Sequence, residues 1–434
     1  MRVLAAFVAA VHVFSCAAPS DVQRSEQRAA PSRLYHADPN HLWNRIHEVF
    51  HVRGTPDGQQ YGFDTVDPLL WRETRYLLEG ASHRRAVAAL DEFLVSNAEL
   101  LIDDPLKRAV FQHDLWTIFD WLAVTSEGDA QARRALMLRL ARLMRRVALG
   151  RKQIQSLPDS YGVAVSSGEL TRPAGGAHQQ QALPGDLFSA TGPWIAIGGN
   201  GPVAPQHAGE LGRSAFILLW SVPGGAGATL AYLRKLWDFP QPFVSDPSFQ
   251  LENEGELRVK VNPALPPVPT GTRIALVRKM MLVDDRGLIV PTNLVQSIQL
   301  RTVGPQQTFA EWQMSRQALF AGRWGGLRQV GADQREFLTF SAKGMDPFER
   351  EHPGGANAEP ARILQGCANC HQTEFGPAIE SIRSLRAILR PNAFVDPRHE
   401  RWARWFTQPI TAAAAKSRTY EWGVLQGLWQ SLPQ

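Results

Sequence analysis

Residues 272–303, "TRIALVRKMMLVDDRGLIVPTNLVQSIQLRTV", decide how the middle of this chain folds. Two runs rich in Val, Ile and Leu flank Asp284-Asp285-Arg286-Gly287. A polar tetrad ending in Gly between such runs reads as a hairpin turn joining two antiparallel strands. Working outward, "WIAIG" (194–198) and "SAFILLWSV" (214–222) have the same strand character, and "GATLAYLRKLWDF" (227–239) is an intervening helix. Residues 191–343 are therefore expected to form a mostly antiparallel, β-rich domain.

Upstream the period changes from two to about 3.6. Asp38-Pro39, Ser82 and Asp104-Pro105 are helix-start signals, each followed by apolar residues at three-and-four spacing. In "ARRALMLRLARLMRRVALGRK" (132–152), Leu136, Leu140, Leu143 and Val147 form one stripe, with Arg139, Arg142, Arg145 and Arg146 largely off it. That arrangement predicts a bundle helix with a solvated basic face. A Gly/Pro/Gln-rich stretch, "SSGELTRPAGGAHQQQALPG", marks a linker over 154–190. After the β-rich domain the pattern returns to helix, and Trp422, Leu425, Leu428 and Trp429 share one face.

The expected architecture is thus multidomain α+β: an N-terminal helical bundle (38–153), the linker, the antiparallel β middle domain and a small α-helical module (344–434). With 434 residues, 44% of them hydrophobic and 20% charged, the chain is long enough for two or three folded domains. A net charge of +5 over this length does not make a nucleic-acid binder.

The first residues point outside the cytoplasm. "MRVLAAFVAAVHVFSCAAPS" has an early cation at Arg2, an apolar run from Val3 to Phe14 and a small-residue step at Ser15-Cys16-Ala17. This is the build of an export signal, too short to span a bilayer as a stop-transfer helix. "VFSC" resembles a bacterial lipobox, which implies a lipid on Cys16 and a membrane-anchored protein of the periplasm or cell envelope. Cleavage after Ala17 with plain secretion is the alternative. Residues 17–37 are polar and suit a tether between anchor and folded body.

Only three cysteines are present, Cys16, Cys367 and Cys370. Cys367-Ala368-Asn369-Cys370-His371 is C-x-x-C-H, the attachment sequence of c-type haem. Two thiols three apart on a helix can reach both vinyl groups of one porphyrin, and the adjacent imidazole then sits under the iron. By this motif the last ninety residues resemble a small mono-haem cytochrome c. The resemblance implies one covalent haem, Cys367 and Cys370 as thioether anchors, His371 as proximal ligand, and electron transfer with a redox partner protein. Ninety residues so rich in aromatics can cover a flat apolar cofactor, or these Trp pack an ordinary small core. Small cytochromes c take their second axial ligand from a downstream methionine, whereas no Met follows His371 here. Met345 is the first candidate for the sixth ligand, His399 and His352 are the alternatives, and an open site would instead suit peroxidase-like oxidoreductase chemistry.

His47-Glu48-Val49-Phe50-His51 also fits H-E-x-x-H, in which two histidines a turn apart bind zinc and the glutamate activates its water. A signal peptide and a polar tether are all that precede it, so the substrate-aligning sheet of such proteases is missing. Bundle histidines are the preferred reading. "GGNGPVA" (198–204) imitates a dinucleotide fingerprint, but Pro202 and Pro205 would break the required helix.

Overall fold

A computed structural model describes residues 33–54, 60–66, 76–126, 128–172, 181–197, 212–245, 259–305, 307–336, 361–371 and 412–432. It is a mixed α+β structure organised around one long helix and a six-stranded antiparallel sheet.

The N-terminal helices are α1 (Leu42–His51), α2 (Gly80–Val95), α3 (Pro105–Val124) and α4 (Ala130–Val147), followed by the short α5 (Arg151–Gln155). α3 begins as its sequence predicts: Asp104 accepts from the amides of Leu106 (2.8 Å) and Lys107 (3.4 Å), with Pro105 in the first turn. Ser82 is no cap. It lies inside the first turn of α2, its hydroxyl bonded to the Tyr76 and Glu79 carbonyls. In α4 the stripe Leu136, Leu140, Leu143 and Val147 is fully buried, as its spacing requires.

Every residue of α3 from Ala109 to Leu122 is buried, so this helix has no solvent face. One side meets α4, and the other lies on the sheet. Polar side chains in such a helix must find partners inside the protein. The Gln112 amide pairs with Val283 like a piece of strand, donating to its carbonyl at 2.8 Å and accepting from its N–H at 3.0 Å. Nδ1 of His113 lies 3.2 Å from the Met281 carbonyl, and its Nε2 lies 2.8 Å from the Gln296 amide. Arg316 grips Asp114 with two bonds of 2.7 and 3.1 Å. Lys416, fully buried, bonds both Asp120 and Glu421 at 2.7 Å, and Arg213 approaches Asp120 at 3.5 Å.

The sheet runs in the order β10 (Leu327–Gln329), β9 (Thr308–Met314), β8 (Ile289–Thr302), β7 (Arg273–Val283), β4 (Ser214–Ser221), β3 (Ile195–Ile197). Two short antiparallel pairs stand apart from it, β1 (Arg53–Gly54) with β2 (Gln60–Tyr61) and β5 (Phe243–Ser245) with β6 (Val259–Val261), and the short α8 (Arg316–Phe320) follows β9. The β7–β8 connection is the expected hairpin. The Asp284 carboxylate accepts from the amides of Arg286 (3.1 Å) and Leu288 (2.8 Å), and Gly287 takes a φ of +77° that favours glycine. One sheet face buries Ile217, Leu219, Ala275, Val277, Ile298, Leu300, Ala310 and Trp312 beneath α6 (Ser160–Ser167) and residues 183–194. The opposite face is apolar at the β3–β4 end, where α7 (Gly225–Trp237) covers it. Toward β8 and β9 it becomes polar.

Two expectations about layout differ from the structure. The stretch 154–190 contains α6, whose Ser160 hydroxyl accepts from Val295 N–H at 2.6 Å and donates to the Asn293 carbonyl. The Tyr161 hydroxyl bonds Pro184 and Leu187 across the same face. Second, α10 (Tyr420–Ser431) does not build a separate C-terminal core. Trp422, Leu425 and Trp429 enter the helical core beside Trp116 and Met144, and Arg145 of α4 donates to the last carbonyls, Trp429 (3.0 Å) and Leu432 (2.8 Å).

Candidate functional site

The cysteine-histidine motif lies on α9 (Ile363–His371). The helix is entered from β12 (Ala361–Arg362), which pairs with β11 (Arg335–Glu336), and Ile363 N–H bonds the Gln334 carbonyl at 3.1 Å. Ile363 is buried and fixes the start of the helix, while Cys367 and His371 are half-buried. Cys370 stands three residues after Cys367 on the same helix, immediately before the histidine.

α9 packs on β9, on the polar part of the sheet face. The His371 ring stacks on Phe309 with centroids 5.9 Å apart and planes 27° from parallel. Its Nδ1 lies 3.2 Å from the Arg301 guanidinium. Arg301 is held by Gln307, whose side-chain oxygen accepts from Nε at 2.7 Å. The register Arg301↔Phe309 and Gln299↔Glu311 puts these four residues on one face, because alternate residues of a strand share a side. Glu311 is only 5% exposed, and its Oε1 accepts from the Gln313 amide at 3.0 Å. Burial pushes its carboxyl above the usual range, opposed by the Gln313 and Gln299 amides and by the charge of Arg278.

Cys16, Met345, His352 and His399 lie outside the described residues. His47 and His51 do sit one turn apart on α1, as H-E-x-x-H requires, but both are buried in an aromatic core. Their rings stack at 5.6 Å, and His47 meets Tyr35 at 5.8 Å and Phe63 at 6.0 Å. Burial, then the Arg316 charge and His51, hold His47 well below the usual imidazole range. Among the described residues, no three His, Cys, Asp or Glu side chains gather as a metal cage, and no helix is long and apolar enough to cross a membrane.

Arg301, Phe309 and Glu311 were not legible as site residues. Their alternation with Leu300, Ala310 and Trp312 is visible in the sequence, but a polar strand face reads as solvent-facing until a covering helix is seen. Comparison with family models, with curated proteins and with solved structures yields no match to this chain.

Proposed function

We propose that the protein is an exported c-type cytochrome that carries electrons through one covalent haem. The observation that carries this reading is the C-x-x-C-H motif on a single helix, α9, behind an N-terminal export signal. Haem bound there would supply a one-electron ferric/ferrous couple. Cys367 and Cys370 would hold it by adding their S–H bonds across its two vinyl groups, a step that loses no atom. Phe309 would set the plane of the His371 ring, and Nε2 would be the nitrogen offered to iron. The Arg301 guanidinium on the Nδ1 side can only donate, so it would meet an Nδ1 lone pair, an imidazolate-like ligand, in place of the usual acceptor for Nδ1–H.

In this reading Met345, or His399 in its place, is the sixth ligand, Cys16 carries a lipid, and the protein works at an envelope membrane with a protein redox partner. The test is to produce the full chain in a host competent for haem attachment, extract with acidified acetone and record the pyridine haemochrome spectrum. One retained haem per chain, lost in Cys367→Ala/Cys370→Ala, is the expected result. A low-spin ferric spectrum would mark a six-coordinate carrier, whereas a high-spin, readily ligated iron would turn the reading to peroxidase-like chemistry. No retained haem would overturn it.

A further inference from the structure

The sheet floor beneath α9 contains a carboxyl group that lacks the usual company. Buried carboxylates are nearly always paired with a cation. Glu311 is buried, yet among the described residues its side chain is hydrogen-bonded by the neutral amides of Gln313, at 3.0 Å, and Gln299, and forms no salt bridge. It lies on the same face of β9 as Phe309, one pleat or roughly 7 Å along the strand. Phe309 is the ring on which His371 stacks. The carboxyl therefore sits in a desolvated place close to the imidazole that would bind iron.

We propose that Glu311 takes up a proton when the iron at His371 is reduced and releases it on reoxidation, so that electron transfer here is coupled to proton transfer. The inference rests on the haem reading above. The electron comes from the redox partner and the proton from water, and the carboxylate oxygen becomes a carboxylic acid. No other reactant is needed. The physical reason is electrostatic: reduction removes one positive charge from the centre, so a nearby carboxylate loses a favourable neighbour, and low effective dielectric makes that loss felt. The charged and titratable groups facing the same floor are Arg278 on β7, Arg301 on β8, Arg328 on β10 and His371 on α9. Arg278 favours the carboxylate, Arg328 is turned to Asp64 at 3.7 Å, and Arg301 is engaged by Gln307 and His371. None of them forms an ion pair with Glu311.

The experiment is a spectroelectrochemical titration of the haem-loaded full chain from about pH 4.5 to about pH 9, a window that starts near the ordinary glutamate range. Retained haem is established first by the haemochrome assay, so loss of the parent reading is seen before this one is tested. The midpoint potential is expected to fall as pH rises, approaching ~59 mV per pH unit, the equivalent of tenfold per unit for a one-electron couple. In Glu311→Gln that dependence should be absent across the same window, and in Glu311→Asp it should return with a displaced midpoint. An infrared redox-difference spectrum should show a carboxylic-acid C=O band on reduction of the parent chain and none in Glu311→Gln. A haem-loaded parent whose potential is flat with pH would overturn the proposal. So would a Glu311→Gln chain that melts like the parent and keeps the full slope.

Discussion

Both ring nitrogens of His47 are buried with no hydrogen-bond partner among the described residues, which makes this side chain a source of acid sensitivity. Its proton affinity is lowered in the folded protein, first by burial and then by the Arg316 charge. Below the ordinary imidazole value of ~6.5 the unfolded chain therefore binds a proton that the folded chain refuses, and stability falls as pH falls. Unfolding free energy is expected to drop by about 1.4 kcal/mol per pH unit from this group alone. Urea midpoints at about pH 7.5 and about pH 5.5 measure it, and His47→Gln should reduce the difference. The neighbouring Asp114–Arg316 pair, 2% and 0% exposed, is sensitive in another way. Arg316→Met leaves a buried carboxylate without its cation and should cost ~3–5 kcal/mol, whereas Arg316→Met combined with Asp114→Leu should recover much of that loss. A double mutant no more stable than the single would show that Arg316 matters for its bond to the Thr65 carbonyl instead.

At the scale of elements, α10 shows what a sequence pattern can and cannot say. The spacing of Trp422, Leu425, Leu428 and Trp429 points to a buried face; Trp422, Leu425 and Trp429 are buried and Leu428 is half-buried. It does not say against what. The aromatic content of the last ninety residues allowed either a haem cover or an ordinary core, and the ring of Trp422 meets Trp116 of α3 at 5.8 Å while Trp429 lies against the Gly287 turn. Trp422→Ala should therefore lower global stability by ~3–5 kcal/mol, read by chemical denaturation of the haem-free chain. A variant as stable as the parent would contradict this placement. The hairpin at 284–287 was legible because its chemistry is local: an Asp side chain bonding amides two and four residues on, then a glycine at positive φ. α6 was not legible, because "SYGVAVSS" has weak helix formers and is held by long-range bonds from Ser160 and Tyr161. Its fit is tight. A Cβ on Gly325, where φ is +61°, would lie 1.9 Å from the Ser160 carbonyl oxygen.

Across the whole molecule, the helices and the sheet do not have separate interiors. At the end of β7, Met280, Met281, Leu282 and Val283 are four successive residues exposed by no more than 1%. Met281 and Val283 belong to the core of α2, α3 and α4, while Met280 and Leu282 pack with Ala109 and Val110 of α3 and with Leu294 and Met314 of the sheet. A strand end buried on both sides joins the helical layer to the sheet and leaves no seam at which they could melt independently. The C-terminal residues close the same body: Lys416 neutralises Asp120 from the interior of α3, and α10 covers Trp116. Calorimetry of the haem-free chain should accordingly show one transition spanning helices and sheet, with calorimetric and van't Hoff enthalpies in agreement, where three independent domains would give up to three. A chain ending at Thr411 would expose that tryptophan face and remove the cation at 2.7 Å from Asp120, leaving Arg213 at 3.5 Å as its cation among the described residues. It should lose the ordered aromatic signal of the N-terminal helices in near-ultraviolet circular dichroism, although the deletion lies about 290 residues from α3 in sequence. A truncated chain whose helices and sheet stayed intact would show that the C-terminal segment is an appendage.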